Sequence, residues 1–80
     1  MDVVYVLIGH YESAECLSRS KVVGVYKQLK DARDKMNEVF NKERANYESD
    51  AEFYMHNYAC SIFDGVENFT EFRIVECNVQ

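Results

Sequence analysis

The chain opens with an unbroken apolar run, VVYVLI at residues 3–8, which is rich in β-branched and aromatic residues. A run of this length and composition is typical of a strand rather than of a buried helix. Side chains of a strand alternate between two faces, so this run projects apolar groups from both. The pattern therefore predicts a central strand that needs cover on each side.

A polar segment at residues 11–20 separates this run from a second strand pattern at residues 21–26. An antiparallel hairpin is the simplest pairing of two strands connected in this way. Gly24 interrupts the second strand, and a glycine in this position indicates a β-bulge or a close backbone contact. His10, next to Gly9 and beyond the first run, is predicted to be a loop residue.

Apolar residues then recur at helical spacing from Leu29 to Tyr47, with charged residues between them. This period predicts an amphipathic helix of about five turns. Residues 48–60 leave two interpretations open. The sequence at residues 49–52 matches a capping box and favours a short helix to Tyr58, whereas Phe53 and Tyr54 can equally begin a strand.

Residues 60–63 are apolar enough for a short strand, and Asp64 with Gly65 forms a strong turn pair. Residues 69–79 interleave apolar and charged positions, which predicts a final strand at an edge of the sheet. The expected fold class is α+β in the order ββα(α)ββ, with a single antiparallel sheet of about four strands packed against one long helix. Residues 1–80 are expected to form a single domain.

One layer of helix covers only one face of a sheet, so the second apolar face needs another cover. The candidates are the short helix at residues 50–58 and another protein chain. The six Tyr and five Phe favour another chain, because tyrosine supplies large contact areas at interfaces. The same rings can also simply fill a small core. We expect self-association, with a homodimer as its form.

The net charge of −5 is unevenly distributed, since residues 46–80 carry seven carboxylates and only Arg73 as a basic residue. An acidic surface attracts basic proteins, including nucleic-acid-binding proteins whose positive groove it can occupy. The expected function is stoichiometric binding of such a partner. The residues expected to bind it are Tyr54 and Tyr58 as anchors, with Glu48, Glu52, Asp64 and Glu67 as the charged rim.

A local basic cluster gives an alternative function. Its members are Arg19, Lys21, Lys27, Lys30, Arg33 and Lys35. Together with aromatic side chains, this cluster can form a pocket for a small ligand or a nucleotide at a dimer interface. Direct binding of nucleic acid is not expected, because the whole chain is acidic and has no Gly-rich phosphate loop.

Catalytic and metal-binding signatures are weak. The three cysteines, Cys16, Cys60 and Cys77, include no C-x-x-C pair and are expected to be reduced. His56 and Cys60 are four residues apart, which places an imidazole beside a thiolate only on a continuous helix. The carboxylates are scattered along the chain. We therefore expect neither enzyme activity nor a bound cofactor or metal ion.

The hydrophobic layout resembles that of the small uncharacterised ββαββ proteins common in phage and prophage genomes. The resemblance rests on the run at residues 3–8, the Gly24-Val25-Tyr26 step, Ala32 in the amphipathic helix and the final strand around residues 74–76. Such proteins include inhibitors of bacterial defence, anti-CRISPR proteins among them. The resemblance thus implies a phage-encoded inhibitor without cofactor or catalytic residues.

The cytoplasm is the expected compartment, and it is the host cytoplasm if the chain is phage-encoded. The first residues lack the basic start of a secretory signal. No stretch approaches the roughly 20 apolar residues that a membrane span requires.

Overall fold

A computed structural model describes residues 2–13, 18–65 and 67–79. The elements in chain order are β1 (Asp2–Glu12), β2 (Arg19–Tyr26), α1 (Leu29–Arg44), β3 (Glu52–Met55), β4 (Ala59–Phe63) and β5 (Phe69–Val79). The strands form one antiparallel sheet in the order β2-β1-β5-β4-β3. The α+β class is therefore confirmed, and the sheet has five strands instead of about four.

The predicted hairpin of β1 and β2 is confirmed, and so is the bulge near Gly24. The register shifts opposite Leu7 and Ile8, where Val23 is the additional residue of β2. A Cβ atom on Gly24 would collide with the side chain of Tyr26. Because glycine has no side chain, the Tyr26 ring can pack directly over the backbone at this position.

The amphipathic helix is confirmed as α1, which buries Ala32, Met36 and Phe40 against the sheet at a spacing of four residues. Below it lies a core that also contains residues from three strands of the sheet. The largest fully buried side chains are Phe72, Leu7, Met36, Ile62 and Cys60.

Of the two interpretations of residues 48–60, the short helix at residues 50–58 is wrong and the strand is confirmed, because residues 52–55 form the edge strand β3. Phe53 packs against Phe40, with ring centroids 6.3 Å apart, while Tyr54 is 57% exposed. Alternate burial of successive residues is a property of a strand. The capping-box sequence forms a turn instead, in which the Ala51 N–H donates to the carbonyl oxygen of Glu48 at 3.1 Å.

The prediction that the last strand lies at an edge is also wrong. β5 lies in the middle of the sheet between β1 and β4. Its charged residues Glu71 and Arg73 alternate with the buried Phe72 and Ile74, so they lie on the face opposite the core. β2 and β3 are the two edge strands.

α1 is the only helix in the described part of the chain, and it packs on one face of the sheet. On the opposite face, which we call the open face, Val22 and Val25 are 61% and 59% exposed. The apolar second face expected from the sequence is present, and no described element covers it.

Candidate interaction surface

Exposed aromatic and apolar side chains gather at the β3 edge, on residues 54–58, which we call the aromatic turn. Tyr54, Met55 and Tyr58 are exposed by 57%, 47% and 44% of their surface. Tyr54 lies on the open face, whereas Met55 lies on the α1 face, where it lines a cleft with Arg33 and Met36. Large apolar side chains that remain in contact with water around one edge of a sheet indicate an interaction site. Of these three residues, the sequence predicted Tyr54 and Tyr58 and missed Met55, whose exposure depends on where β3 ends.

Several contacts hold the aromatic turn in place. The His56 N–H donates to the Ala59 carbonyl oxygen at 2.7 Å, which closes the turn between β3 and β4. Arg33 reaches across from α1, where its Nε donates to the Asn57 carbonyl oxygen at 3.2 Å. The same guanidinium lies 5.3 Å from the centroid of the Tyr58 ring.

Tyr54 has a defined position as well. Its ring stacks on the imidazole of His56, with centroids 6.4 Å apart and planes 5° from parallel. Both tyrosines therefore present ordered rings at the surface, which reduces the conformational entropy lost when a partner binds.

The four carboxylates of the predicted rim lie in the loop after α1, at the start of β3 and in the turn between β4 and β5. Glu48 and Asp64 line a common cleft of about 460 Å³, together with Glu12 from β1. Glu52 begins β3 and pairs with Phe63, next to the turn that contains Glu67. The fold thus brings the four residues to one end of the β3–β4 hairpin, and the aromatic turn lies at its other end.

Asp64 differs from the other three carboxylates because it organises its own turn. Its Oδ1 accepts hydrogen bonds from the N–H groups of Glu67 and Asn68 at 2.9 and 3.1 Å. Its Oδ2 accepts from the Asn68 side-chain amide at 2.8 Å. The turn predicted from Asp64 and Gly65 is confirmed, and Gly65 adopts a positive φ of 86° there. Any contribution of Asp64 to partner binding is therefore combined with this structural role.

The open face carries a second apolar surface on β2, β1 and β5. We call it the valine strip, and its members are Val4, Val6, Ile8, Val22, Val25 and Val75. The strip is continuous, because Val6 pairs with Val25 on one side and with Val75 on the other.

His10 lies inside β1, so its prediction as a loop residue is wrong. Its Nδ1 is 2.8 Å from the Ser20 hydroxyl, and its Nε2 is 3.1 Å from a carboxylate oxygen of Glu12. A hydroxyl next to an imidazole that contacts a carboxylate is the arrangement of a serine nucleophile, its general base and the group that orients the base. The His10 and Glu12 side chains are 30% and 51% exposed, however, and a polar contact so open to water contributes little. We interpret the group as polar pairing at the border of the valine strip.

The structure does not keep the basic cluster expected between Arg19 and Lys35 together. Lys30 forms an ion pair with Asp34 at 2.9 Å, and Lys35 forms one with Glu38. Arg33 supports the aromatic turn.

Of the three remaining members of this cluster, Lys27 follows β2 and lines a separate cleft with Asp2 and Val79, and the other two lie on β2. Arg19 and Lys21 line a cleft of about 550 Å³ with Tyr11, Ser20 and Glu43. The Lys21 ammonium is 5.6 Å from the centroid of the Tyr11 ring, so this cleft combines a cation with an aromatic surface.

The structure separates the residues of the His56 and Cys60 hypothesis. Cys60 is fully buried in β4, and burial raises the pKa of its thiol to about 11. His56 is exposed in the aromatic turn. A thiol that holds its proton and is closed to solvent is a poor nucleophile, so this pair does not form the catalytic site that the spacing allows. Cys77 is also a free thiol, and Cys16 lies outside the described residues.

Among residues 2–13, 18–65 and 67–79, no three His, Cys, Asp or Glu residues are grouped so that they could hold a metal ion. Within the same residues, no helix is long and apolar enough to cross a membrane. No protein family, curated protein or solved structure matches this chain.

Proposed function

We propose that this chain is a non-enzymatic protein that acts by stoichiometric binding to the basic surface of another protein. The observation that carries the proposal is the aromatic turn, where Tyr54 and Tyr58 are held by His56 and Arg33 yet remain 57% and 44% exposed. The turn belongs to the part of the chain with seven carboxylates and one arginine.

The two parts of this surface have different roles in the proposal. Tyr54 and Tyr58 supply apolar contact area from rings that are already ordered, so they determine how long a complex lasts. Glu48, Glu52 and Glu67 are exposed and increase the rate of encounter with a basic partner. A nucleic-acid-binding protein fits this description, because its positive groove has the complementary charge.

An inhibitor of a bacterial defence system is the most concrete form of the proposal. It rests on the resemblance to small phage and prophage proteins, together with the size and the acidity of the chain. Expressing the chain in a bacterium with an active defence system should increase phage plating, and the variant Y54A/Y58A should not.

The direct test is affinity capture from lysate of the natural host, followed by binding kinetics with the purified captured protein. We expect Y54A/Y58A to accelerate dissociation at least about tenfold. We expect E48Q/E52Q/E67Q to reduce the association rate about tenfold and to weaken its dependence on salt. Asp64 is left intact because its replacement would disturb the turn.

The matched control is D2N/D31N/E76Q, which removes three exposed carboxylates from β1, α1 and β5. This variant should associate at a rate close to that of the wild-type chain. If the triple glutamine variant keeps the wild-type association rate and salt dependence, the electrostatic part of the proposal is wrong. If Y54A/Y58A dissociates at the wild-type rate, the aromatic turn is not the binding surface.

The cleft beside Tyr11 favours a second candidate function, the binding of a small anionic ligand such as a nucleotide. Arg19 and Lys21 can pair with phosphate, and the Tyr11 ring can contact a base. A thermal-shift screen against nucleotides tests this candidate, since a ligand at 100 times its Kd adds about 2.7 kcal/mol of stability. The variant R19Q/K21Q should lose any shift, and an unchanged shift would remove this cleft from consideration.

A further inference from the structure

The valine strip is a second apolar surface that the proposed function does not use. Val22, Val25 and Val75 are exposed by 61%, 59% and 36% of their surface. Val6 and Ile8 on β1 connect them into one surface across three strands. The strip lies on the far side of the sheet from α1, and the aromatic turn lies at the β3 edge.

We propose that a second copy of this chain covers the valine strip, so that the protein is a face-to-face homodimer. The strip itself carries no charge. A partner surface that brought a charge onto it would lose hydration without gaining a counter-charge. A second copy brings an identical uncharged strip, and a two-fold axis places the two identical surfaces against each other.

The border of the strip agrees with this arrangement. Arg73 and Glu71 lie beside the strip with 3.3 Å between the guanidinium and the carboxylate. Because the two charges are opposite, this part of the border adds no net charge. A second copy therefore does not have to overcome strong like-charge repulsion at this position.

The size of the valine strip fits a weak dimer that forms as concentration rises. β1 and β5 each contain 11 residues, so the strip is roughly 30 Å long and, across its three strands, roughly 14 Å wide. Two copies in contact over the strip would remove about 850 Å² from water, which is the size of a weak, reversible protein interface.

The position of the strip separates it from the proposed partner-binding surface. The strip lies on β2, β1 and β5, whereas β3 lies at the opposite edge of the sheet from β2. A contact limited to the strip therefore leaves β3 and the aromatic turn of both copies uncovered.

The test is the mass in solution from 1 to 200 µM, measured by sedimentation on the wild-type chain and on V22K and V25K. The mass of one chain is 9.4 kDa, and the wild-type value should approach twice this mass as concentration rises. Each lysine variant should keep the monomer mass, because the new charge raises the dissociation constant at least about 100-fold. The variants should fold, since both valines are more than half exposed.

M55K is the matched control, because it places the same charge on an exposed apolar residue outside the strip. It should assemble like the wild-type chain, and 500 mM KCl should leave that assembly intact since the contact is apolar. A wild-type chain that remains a monomer throughout overturns the proposal, and so does a V22K chain that assembles normally. A monomer that binds phosphatidylcholine vesicles through Val22 would assign the strip to a lipid surface instead. None of these results depends on the partner of the aromatic turn.

Discussion

At the scale of single residues, burial decides the chemistry of the cysteines. Cys60 faces the core and is fully buried, whereas Cys77 on β5 is partly exposed. Burial raises the pKa of the Cys60 thiol to about 11, because the charged thiolate loses its hydration in the apolar core. Cys60 therefore functions as a small apolar side chain.

We predict that iodoacetamide at pH 8 modifies Cys77 at least about tenfold faster than Cys60, because only the thiolate reacts and Cys60 is also inaccessible. Mass spectrometry of the peptides after timed quenching measures both rates. In 6 M guanidinium the two rates should become similar. Equal rates in the folded protein would show that Cys60 is not protected.

The same thiol predicts how stability depends on pH. The folded pKa of Cys60 is raised to about 11, so its contribution is fully present below the unfolded pKa, about 8.5. This contribution is lost as the pH rises from there through 11. The free energy of unfolding should fall between pH 8 and pH 10.5 by less in C60A than in the wild-type chain. Urea unfolding of both proteins at the two pH values measures the difference, and equal declines would contradict the prediction.

At the scale of elements, one side-chain contact joins the end of the helical layer to the sheet. Tyr47 lies three residues beyond α1, and its hydroxyl is 2.9 Å from the hydroxyl of Thr70 on β5. Thr70 is only 4% exposed. A buried hydroxyl without a partner is costly, so this pair fixes the loop that leads from α1 to β3.

We predict that Y47F lowers the free energy of unfolding by about 1–3 kcal/mol, because the buried Thr70 hydroxyl loses its partner. T70V should lower the free energy of unfolding by less than Y47F does, since the half-buried Tyr47 hydroxyl can form a hydrogen bond with water instead. The double variant should be more stable than the sum of the two losses implies, by about 1 kcal/mol. Chemical unfolding of the four proteins gives this coupling, and strict additivity would mean that the hydrogen bond contributes nothing.

The elements that depend on local patterns could be predicted from the sequence. The run at residues 3–8, the period of α1 and the turn at Asp64 are each specified by neighbouring residues. Residues 48–60 stayed open between a helix and a strand, because β3 is fixed by the contact of Phe53 with Phe40, a residue of another element. The position of β5 was missed because the alternation of Glu71 and Arg73 with buried residues is as compatible with a central strand as with an edge.

The candidate surface was predictable to a similar extent. Tyr54 and Tyr58 are exposed as expected, and the sequence also indicated that both faces of β1 are apolar. The contacts of Tyr54 with the His56 imidazole and of Tyr58 with the Arg33 guanidinium could not be predicted from the sequence. It depends on Arg33 reaching the turn from another element.

At the scale of the whole molecule, the proposed dimer connects stability to protein concentration. Each protomer gains stability only while the valine strip is covered by a second copy. The fraction of chains in the dimer increases with protein concentration by mass action.

We predict that the Tm of the wild-type chain rises by up to about 6–11 °C for a hundredfold increase in concentration, since this increase adds at most about 1.4 kcal/mol per protomer. The Tm of V22K should not change. Calorimetry at 2 and 200 µM measures both values. A wild-type Tm that is independent of concentration, with reversible unfolding, would contradict the dimer.

The pairing of β1 with β5 also has a consequence for how the molecule forms. These strands share eleven residue pairs, from Asp2 with Val79 to Glu12 with Phe69. Partners so distant along the chain give a high contact order, which slows folding because a long loop must close first. On the ribosome, the early hairpin and helix must wait for β5 before their core can close. Until β5 is synthesised, one edge of β1 stays unpaired. This exposed strand edge is a site that chaperones can bind.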